Sequence, residues 1–330
     1  MKRILSLVLC SAMMLMSGCS NTGNAENTQG NTDTAQENYV IGIAQFAPHA
    51  SLDNCVTGFK LGLEEAGITN VEFDFQNAQS DMAAANQIAQ SMVAKKCDLI
   101  CAVATPMAQA AYNASNSTVP VIYTAVTDPV AAQLAKEDGT SLGKATGTSD
   151  KLAINAQLEM IRSFMPEAKT IGIMYSTSET NSVSAIAEYK ELAPSFGFEI
   201  VESGISQSAD IPMAAADLAA KVDCISNLTD NTVVTNLSIL LEEANKAGIP
   251  VFGSEIEQVK NGCVATEGID YVALGKQTGV MAARVLKGED IQTIPYETIT
   301  DYGLYINEQV LAGLGIQVPE ELTDKAVNVE

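Results

Sequence analysis

One pattern constrains this chain more than any other: the same succession of short apolar strands and helices is written twice. Ile41-Gly42-Ile43 is matched by Ile171-Gly172-Ile173, and Glu64-Glu65-Ala66-Gly67 stands in register with Pro194-Ser195-Phe196-Gly197. Ala78-Gln79-Ser80 returns as Ser206-Gln207-Ser208, Ala94 to Ile100 as Ala219 to Ile225, and Val119-Pro120-Val121 as Ile249-Pro250-Val251. Five matches in one order, at offsets of 125 to 130 residues, argue for two copies of a single unit. In the first copy, Val40 to Ala44, Val71 to Phe75, Leu99 to Val103 and Val119 to Tyr123 read as strands. Helical patterns over Ser51 to Ala66, Asp81 to Lys95 and Met107 to Ala114 separate them. The strand runs are continuously apolar, as expected of a parallel sheet covered on both faces. Strands alternating with helices imply βαβ units. The expectation is an α/β protein with two similar Rossmann-like lobes, each built on a parallel sheet and joined by a multi-strand hinge.

The chain continues beyond the second copy with a strand over Gly262 to Thr266 and a helix pattern over Asp270 to Leu286. One or two short strands follow around Ile299, Tyr302 and Leu304, and a closing helix begins near Asn307. This gives a first lobe over residues 39–150, completed by a return segment near 268–300, and a second lobe over 151–267. Residues 301–330 form a C-terminal hinge and closing segment. A chain that crosses more than once is expected to make a hinge of several parallel strands.

The N-terminus sets the compartment. Met1-Lys2-Arg3 is basic, Ile4 to Leu15 is uncharged and largely apolar, and Ser17-Gly18 are small. This is the layout of a secretory signal over residues 1–18. Its apolar run is too short for the roughly twenty residues that span a bilayer. Met16-Ser17-Gly18-Cys19 resembles a bacterial lipobox, which implies a lipid on Cys19 and membrane anchorage through it. Residues 19–38 are polar, without a large apolar side chain, and read as a flexible linker.

Charge and residue inventory remove several function classes. With 40 acidic and 18 basic residues the formal charge is −22, so a polyanion is repelled and nucleic acid is not a partner. His49 is the only histidine, and the cysteines beyond Cys19 sit in apolar runs, so neither a metal site nor a disulfide framework is expected. The chain has no Gly-x-Ser-x-Gly elbow, P-loop or dinucleotide fingerprint, so no catalytic residues and no cofactor are assigned.

In open parallel sheets ligands bind beyond the carboxyl ends of the strands. With two such sheets facing one another, those ends become the walls of a cleft. The candidate ligand-binding residues are Gln45, Phe46, His49, Ser80, Thr105 and Thr127 from the first copy. Asn181, Ser182, Asp230, Asn231 and Glu255 come from the second, and Asp270 follows the late strand. Thr105 precedes Pro106 and a helix, where free backbone N–H groups and a hydroxyl can hold a carboxylate. Asp230 or Glu255 can supply the anionic oxygens that an ammonium group requires. A zwitterionic amino acid satisfies both, with Phe46, Tyr123, Tyr175 or Tyr271 available to pack on its side chain. The same residue types at strand-to-helix junctions also serve as ordinary N-caps.

The run Ala44-Gln45-Phe46 with His49 and Leu52-Asp53 resembles the start of the tryptophan-type ABC transporter substrate-binding proteins. Asn77-Ala78-Gln79, Ala104 to Ala110, Thr124 to Ala131, Asn181-Ser182-Val183, Thr229 to Val233 and Asp270 to Gly279 extend the similarity over Tyr39 to Pro319. The resemblance implies a type I periplasmic-binding-protein fold, no catalysis, and import through a separate ABC permease and ATPase. It makes an aromatic amino acid such as tryptophan or phenylalanine the favoured ligand. Met107 and Ser254-Glu255-Ile256 depart from the family pattern at positions that can line the pocket. A ligand-sensing role for a membrane receptor, or a nucleoside or sugar ligand, is the alternative. In each case the expected mechanism is hinge closure over the ligand.

Overall fold

The computed structural model describes residues 38–329. The signal segment, Cys19 and the linker up to residue 37 lie outside the described residues. The first half runs β1 (Tyr39–Gln45), α1 (Ala50–Glu65), β2 (Val71–Asn77), α2 (Met82–Ala94), β3 (Leu99–Val103), α3 (Thr105–Ser115), β4 (Val121–Thr124) and β5 (Ala145–Ser149). The second runs α4 (Ile154–Phe164), β6 (Thr170–Ser176), α5 (Thr180–Leu192), β7 (Glu199–Ile205), α6 (Ile211–Ala219), β8 (Cys224–Ser226), α7 (Asn231–Thr235), α8 (Leu237–Ala247), β9 (Val251–Phe252), α9 (Ile256–Lys260) and β10 (Ala265–Gly268). The last part is α10 (Tyr271–Leu286), β11 (Glu297–Thr298), β12 (Gly303–Ile306), α11 (Glu308–Gly313) and β13 (Ala326–Asn328).

The first sheet has the order β11-β5-β4-β3-β1-β2 and is parallel throughout. The second has the order β7-β6-β8-β9, also parallel. In both, the first strand of the copy lies inside and the second at the edge, so the repeated sequence folds into repeated topology. Its central strands carry the core: Ile41, Ile43, Leu99, Ile100 and Ile122 are fully buried in the first lobe, and Ile171, Ile173 and Ile225 in the second. Helix α4 shows the local logic. Ile154, Leu158, Ile161 and Phe164 recur at helical spacing and all face inward.

β10, β12 and β13 form a third sheet. It is joined to the edge of the second lobe by Val264 N–H donating to Val251 O at 2.8 Å and Gly253 N–H donating to Ala265 O at 2.9 Å. Here the expectation of a hinge made of parallel strands fails. β10 and β12 pair antiparallel, and only β12 with β13 is parallel. The reason is directional: β10 leads the chain out of the second lobe and β12 brings it back at the same edge.

Between those two strands the chain visits the first lobe. α10 packs along α1 at a separation only glycine permits. A Cβ on Gly58 would lie 2.0 Å from Val272 O, and one on Gly275 would lie 2.1 Å from Cys55 O. β11 then pairs with β5 at Thr148 and Ser149. Each lobe is therefore assembled from two chain segments: the first is completed by the return through α10 and β11, and the core of the second by the C-terminal Leu304, Ile306 and Leu311.

Candidate ligand-binding cleft

The carboxyl ends of both sheets face a common cleft, and the lobes meet across it through several polar contacts. His49 Nε2 lies 3.4 Å from Asn231 Oδ1, Asn54 Nδ2 donates to Glu257 Oε1 at 3.2 Å, and Thr127 Oγ1 lies 3.3 Å from Thr229 Oγ1. Ser184 donates to Asp128, and the Ser51 hydroxyl bonds to Glu255. The lobes thus stand closed on one another. They leave a small pocket at the seam between them. Its lining includes His49, Ala104, Ala125, Asp150, Asn181 and Asn231, together with Thr229, Glu255 and Tyr271. No lysine or arginine takes part.

The first-lobe wall is built from backbone and small side chains. Ala104 and Ala125 close β3 and β4 with φ of 80° and 55°, a region that costs an L-residue on the order of 1–3 kcal/mol unless its surroundings enforce it. These turns bring main chain to the pocket edge. Thr105 opens α3, is 2% exposed, and its hydroxyl has no partner. The N–H groups of that first turn have no intrahelical acceptor.

At the end of β5 stands Asp150, also 2% exposed. Its Oδ1 accepts from the Thr127 hydroxyl at 2.9 Å and its Oδ2 from the Tyr271 hydroxyl at 2.5 Å. Burial raises its pKa, and the two hydroxyls pull the other way. A carboxylate has about four acceptor positions, so two remain for a ligand.

The second-lobe wall carries more charge, most of it already committed. Asp230 is fully buried at the N-cap of α7. It accepts from Val233 N–H at 2.9 Å, Ser176 N–H at 2.6 Å and Ser182 Oγ at 2.7 Å. Glu179 accepts from the backbone and side chain of both Asn231 and Thr232, and from Asn181 Nδ2. Burial raises the pKa of both carboxyls, and for Glu179 the charge of Asp230 adds to it. Glu255 caps α9 by accepting from Glu257 N–H at 2.6 Å and Gln258 N–H at 2.9 Å, yet it also lines the pocket. Burial pushes it up to about 7. Burial takes His49 the other way, to about 4.

Of the sequence-derived candidates, His49, Asn181, Asn231 and Glu255 line this pocket; Thr127 does not, but bonds to the lining Asp150, and Thr105 does not, but follows the lining Ala104 in the chain. Phe46 and Ser80 lie together in a neighbouring cavity of the cleft with Pro106 and Glu179. Gln45 is buried below the wall, its Nε2 donating to Ala47 O and Asp53 Oδ1. Asp230 and Ser182 are bonded to each other away from the pocket. Asp270 is an exposed cap of α10, accepting from Val272 and Ala273 N–H. Of the four aromatics considered, Tyr271 reaches the pocket, while Tyr123 is fully buried in the first core. Glu179 lies within the polar stretch Ser176 to Asn181 that follows a second-copy strand, whereas Asp150 is absent from the sequence-derived candidates. The signal for Asp150 was the same as for the others, a polar residue ending a strand, but β5 reads Ala-Thr-Gly-Thr-Ser and does not look like a buried strand.

Residues 40–330 match the family model described as ABC transporter substrate binding protein. The chain belongs to the ABC transporter substrate-binding proteins. These are extracytoplasmic binding proteins and not enzymes. A tyrosine-binding protein of Clostridioides difficile is 41% identical, with 96% of this chain and 93% of that protein covered. Among solved structures, an ABC domain from Streptococcus pneumonia in complex with L-Trp is 32% identical with a TM-score of 0.86, covering 89% of this chain and 100% of that one. A ligand-free, open structure of a substrate-binding protein with adhesive properties from Clostridium difficile is more similar in sequence, at 39%. It superposes less well, with a TM-score of 0.67 over 88% of this chain and 100% of that one. This substrate-binding protein is therefore nearer in shape to the liganded relative than to the open one, in keeping with its interlobe hydrogen bonds. The fold is the two-lobed type I periplasmic-binding-protein architecture. Among the described residues, no helix is long and apolar enough to cross a membrane.

Proposed function

We propose that this protein captures an aromatic amino acid outside the cytoplasm and delivers it to the permease and ATPase of an ABC importer, held at the membrane by a lipid on Cys19. The carrying observation is a closed interlobe pocket lined by the carboxyls of Asp150 and Glu255 with no lysine or arginine in its wall and a neutral His49. Buried carboxyls without a cationic partner are costly, and a ligand ammonium offsets that cost. Thr105 and the first turn of α3 offer N–H and hydroxyl donors to the ligand carboxylate, so both ends of a zwitterion are met. Tyr271, Leu52 and Val234 give the apolar contacts for a ring. Tyrosine and tryptophan in the names of the relatives support the aromatic class.

The test is a thermal-shift panel of amino acids, nucleosides and sugars. A ligand at about a hundred times its Kd adds roughly 2.7 kcal/mol, and the expected result is a rise of several degrees with aromatic amino acids. A rise with a nucleoside or sugar, and none with any amino acid, would overturn the reading.

A further inference from the structure

Glu179 does more than brace α7. Its Oε2 accepts from the side-chain amides of both Asn181, at 3.2 Å, and Asn231, at 2.7 Å. A carboxylate accepts only, so both amide nitrogens are committed to it and both amide oxygens are turned elsewhere. The oxygen of Asn231 meets His49 Nε2 across the cleft at 3.4 Å. The oxygen of Asn181, on a residue 3% exposed that lines the pocket, has no partner.

The chain of constraints continues into His49. An amide oxygen can only accept, so Nε2 must carry the hydrogen. Burial keeps the ring neutral, and a neutral imidazole has a single N–H. Nδ1 is therefore a bare acceptor, and it too is buried without a partner. The pocket thus holds two neutral acceptors, Asn181 Oδ1 and His49 Nδ1, in addition to the carboxyls of Asp150 and Glu255.

Resting on the aromatic amino-acid reading, we infer that the Glu179–Asn231–His49 relay makes the pocket select ring-borne hydrogen-bond donors, so that tyrosine and tryptophan are ligands and phenylalanine is discriminated against. An α-ammonium has three N–H groups, which two carboxyls and a neighbouring carbonyl suffice to occupy. A phenol O–H or an indole N–H answers the neutral acceptors, whereas a phenyl ring leaves them buried and unpaired. A site built around such groups rejects the analogue that lacks the donor. His49 and Asn181 are the reading residues and Glu179 is the positioning residue.

Titration calorimetry on the whole protein with L-tyrosine, L-tryptophan, L-phenylalanine and O-methyl-L-tyrosine tests this. Tyrosine and tryptophan are expected to bind roughly ten- to a hundredfold more tightly than the two ligands without a donor at that position. In His49→Phe and in Glu179→Gln the tyrosine-to-phenylalanine ratio should fall towards one, a readout that a merely structural role would not move. If phenylalanine or O-methyl-tyrosine binds wild type as tightly as tyrosine, the inference fails while the aromatic reading stands. A ratio that survives His49→Phe removes His49 from the relay. Absence of binding by every aromatic amino acid overturns the underlying reading, and this inference with it.

Discussion

The two walls of the cleft solve one problem in opposite ways. The second lobe brings Glu179 and Asp230 to the interface and then satisfies them almost completely from its own backbone, hydroxyls and amides. The first lobe presents bent main chain, an unpartnered threonine hydroxyl and a single carboxyl, Asp150, held by only two hydroxyls. Buried charge alone therefore does not mark a binding group. What separates the two cases is how much of each group's bonding capacity the protein has already used.

The sharpest way to break this contrast is to neutralise one carboxyl on each side. Asp150→Asn should lower amino-acid affinity by about a hundredfold, the scale of a lost charge-assisted contact, with the melting temperature unchanged or raised. Asp230→Asn should do the reverse, since it leaves N–H and hydroxyl donors facing an amide. A loss of about 1–3 kcal/mol of stability is expected, with affinity within about threefold at temperatures where the protein is folded. Calorimetric melting and titration of both variants decide it, and a swap of the two outcomes would dissolve the distinction.

A smaller effect probes how the lobes are built. Gly275→Ala forces a methyl against Cys55 O, and overpacking of this kind costs about 1–3 kcal/mol. The loss should fall on the first lobe, so that scanning calorimetry shows its transition separating below that of the second. One unsplit transition at the wild-type temperature would mean that α10 can slide without cost.

The smallest effect concerns Glu255, which belongs to both categories as cap and as pocket wall. Its folded-state pKa, pushed up to about 7, lies above the ordinary glutamate value. The stability it contributes is therefore full at acid pH and is lost as pH rises through about 7. The ligand-free melting temperature should drift down over that interval. An ammonium ligand prefers the ionised form, so affinity should fall by up to about tenfold per pH unit below 7. Glu255→Gln should flatten both profiles.

Much of this architecture was legible in sequence because parallel strands buried on both faces leave continuous apolar runs, as in Leu99 to Val103 and Ile171 to Met174. The repeat supplied the topology that the two lobes share, but not the third sheet of β10, β12 and β13. Strands that do not rely on apolar side chains are less visible: β5, Ala-Thr-Gly-Thr-Ser, is buried, with the single hydroxyl of Thr148 bonded to those of Thr124 and Thr278. Missing it meant missing Asp150 at its end. At Asp230, likewise, sequence shows a charge beside a strand but not the three donors that engage it. Asp270 and Glu255 look alike as helix caps following strands. Only the fold separates them, turning one to solvent and the other into the cleft.

The return of α10 to α1 has a further consequence for how the molecule comes into being. Lys287 Nζ donates to Ala66 O across 221 residues of chain, and the glycine-lined contact that completes the first lobe spans a similar interval. While the chain is being made, the second lobe has nearly all of its strands before the first can close. Late long-range closure of this kind is slow and leaves apolar surface open for longer. The helix that seals the first lobe is thus expected to dock late, and the interval before it to be one in which the nascent protein is open to aggregation.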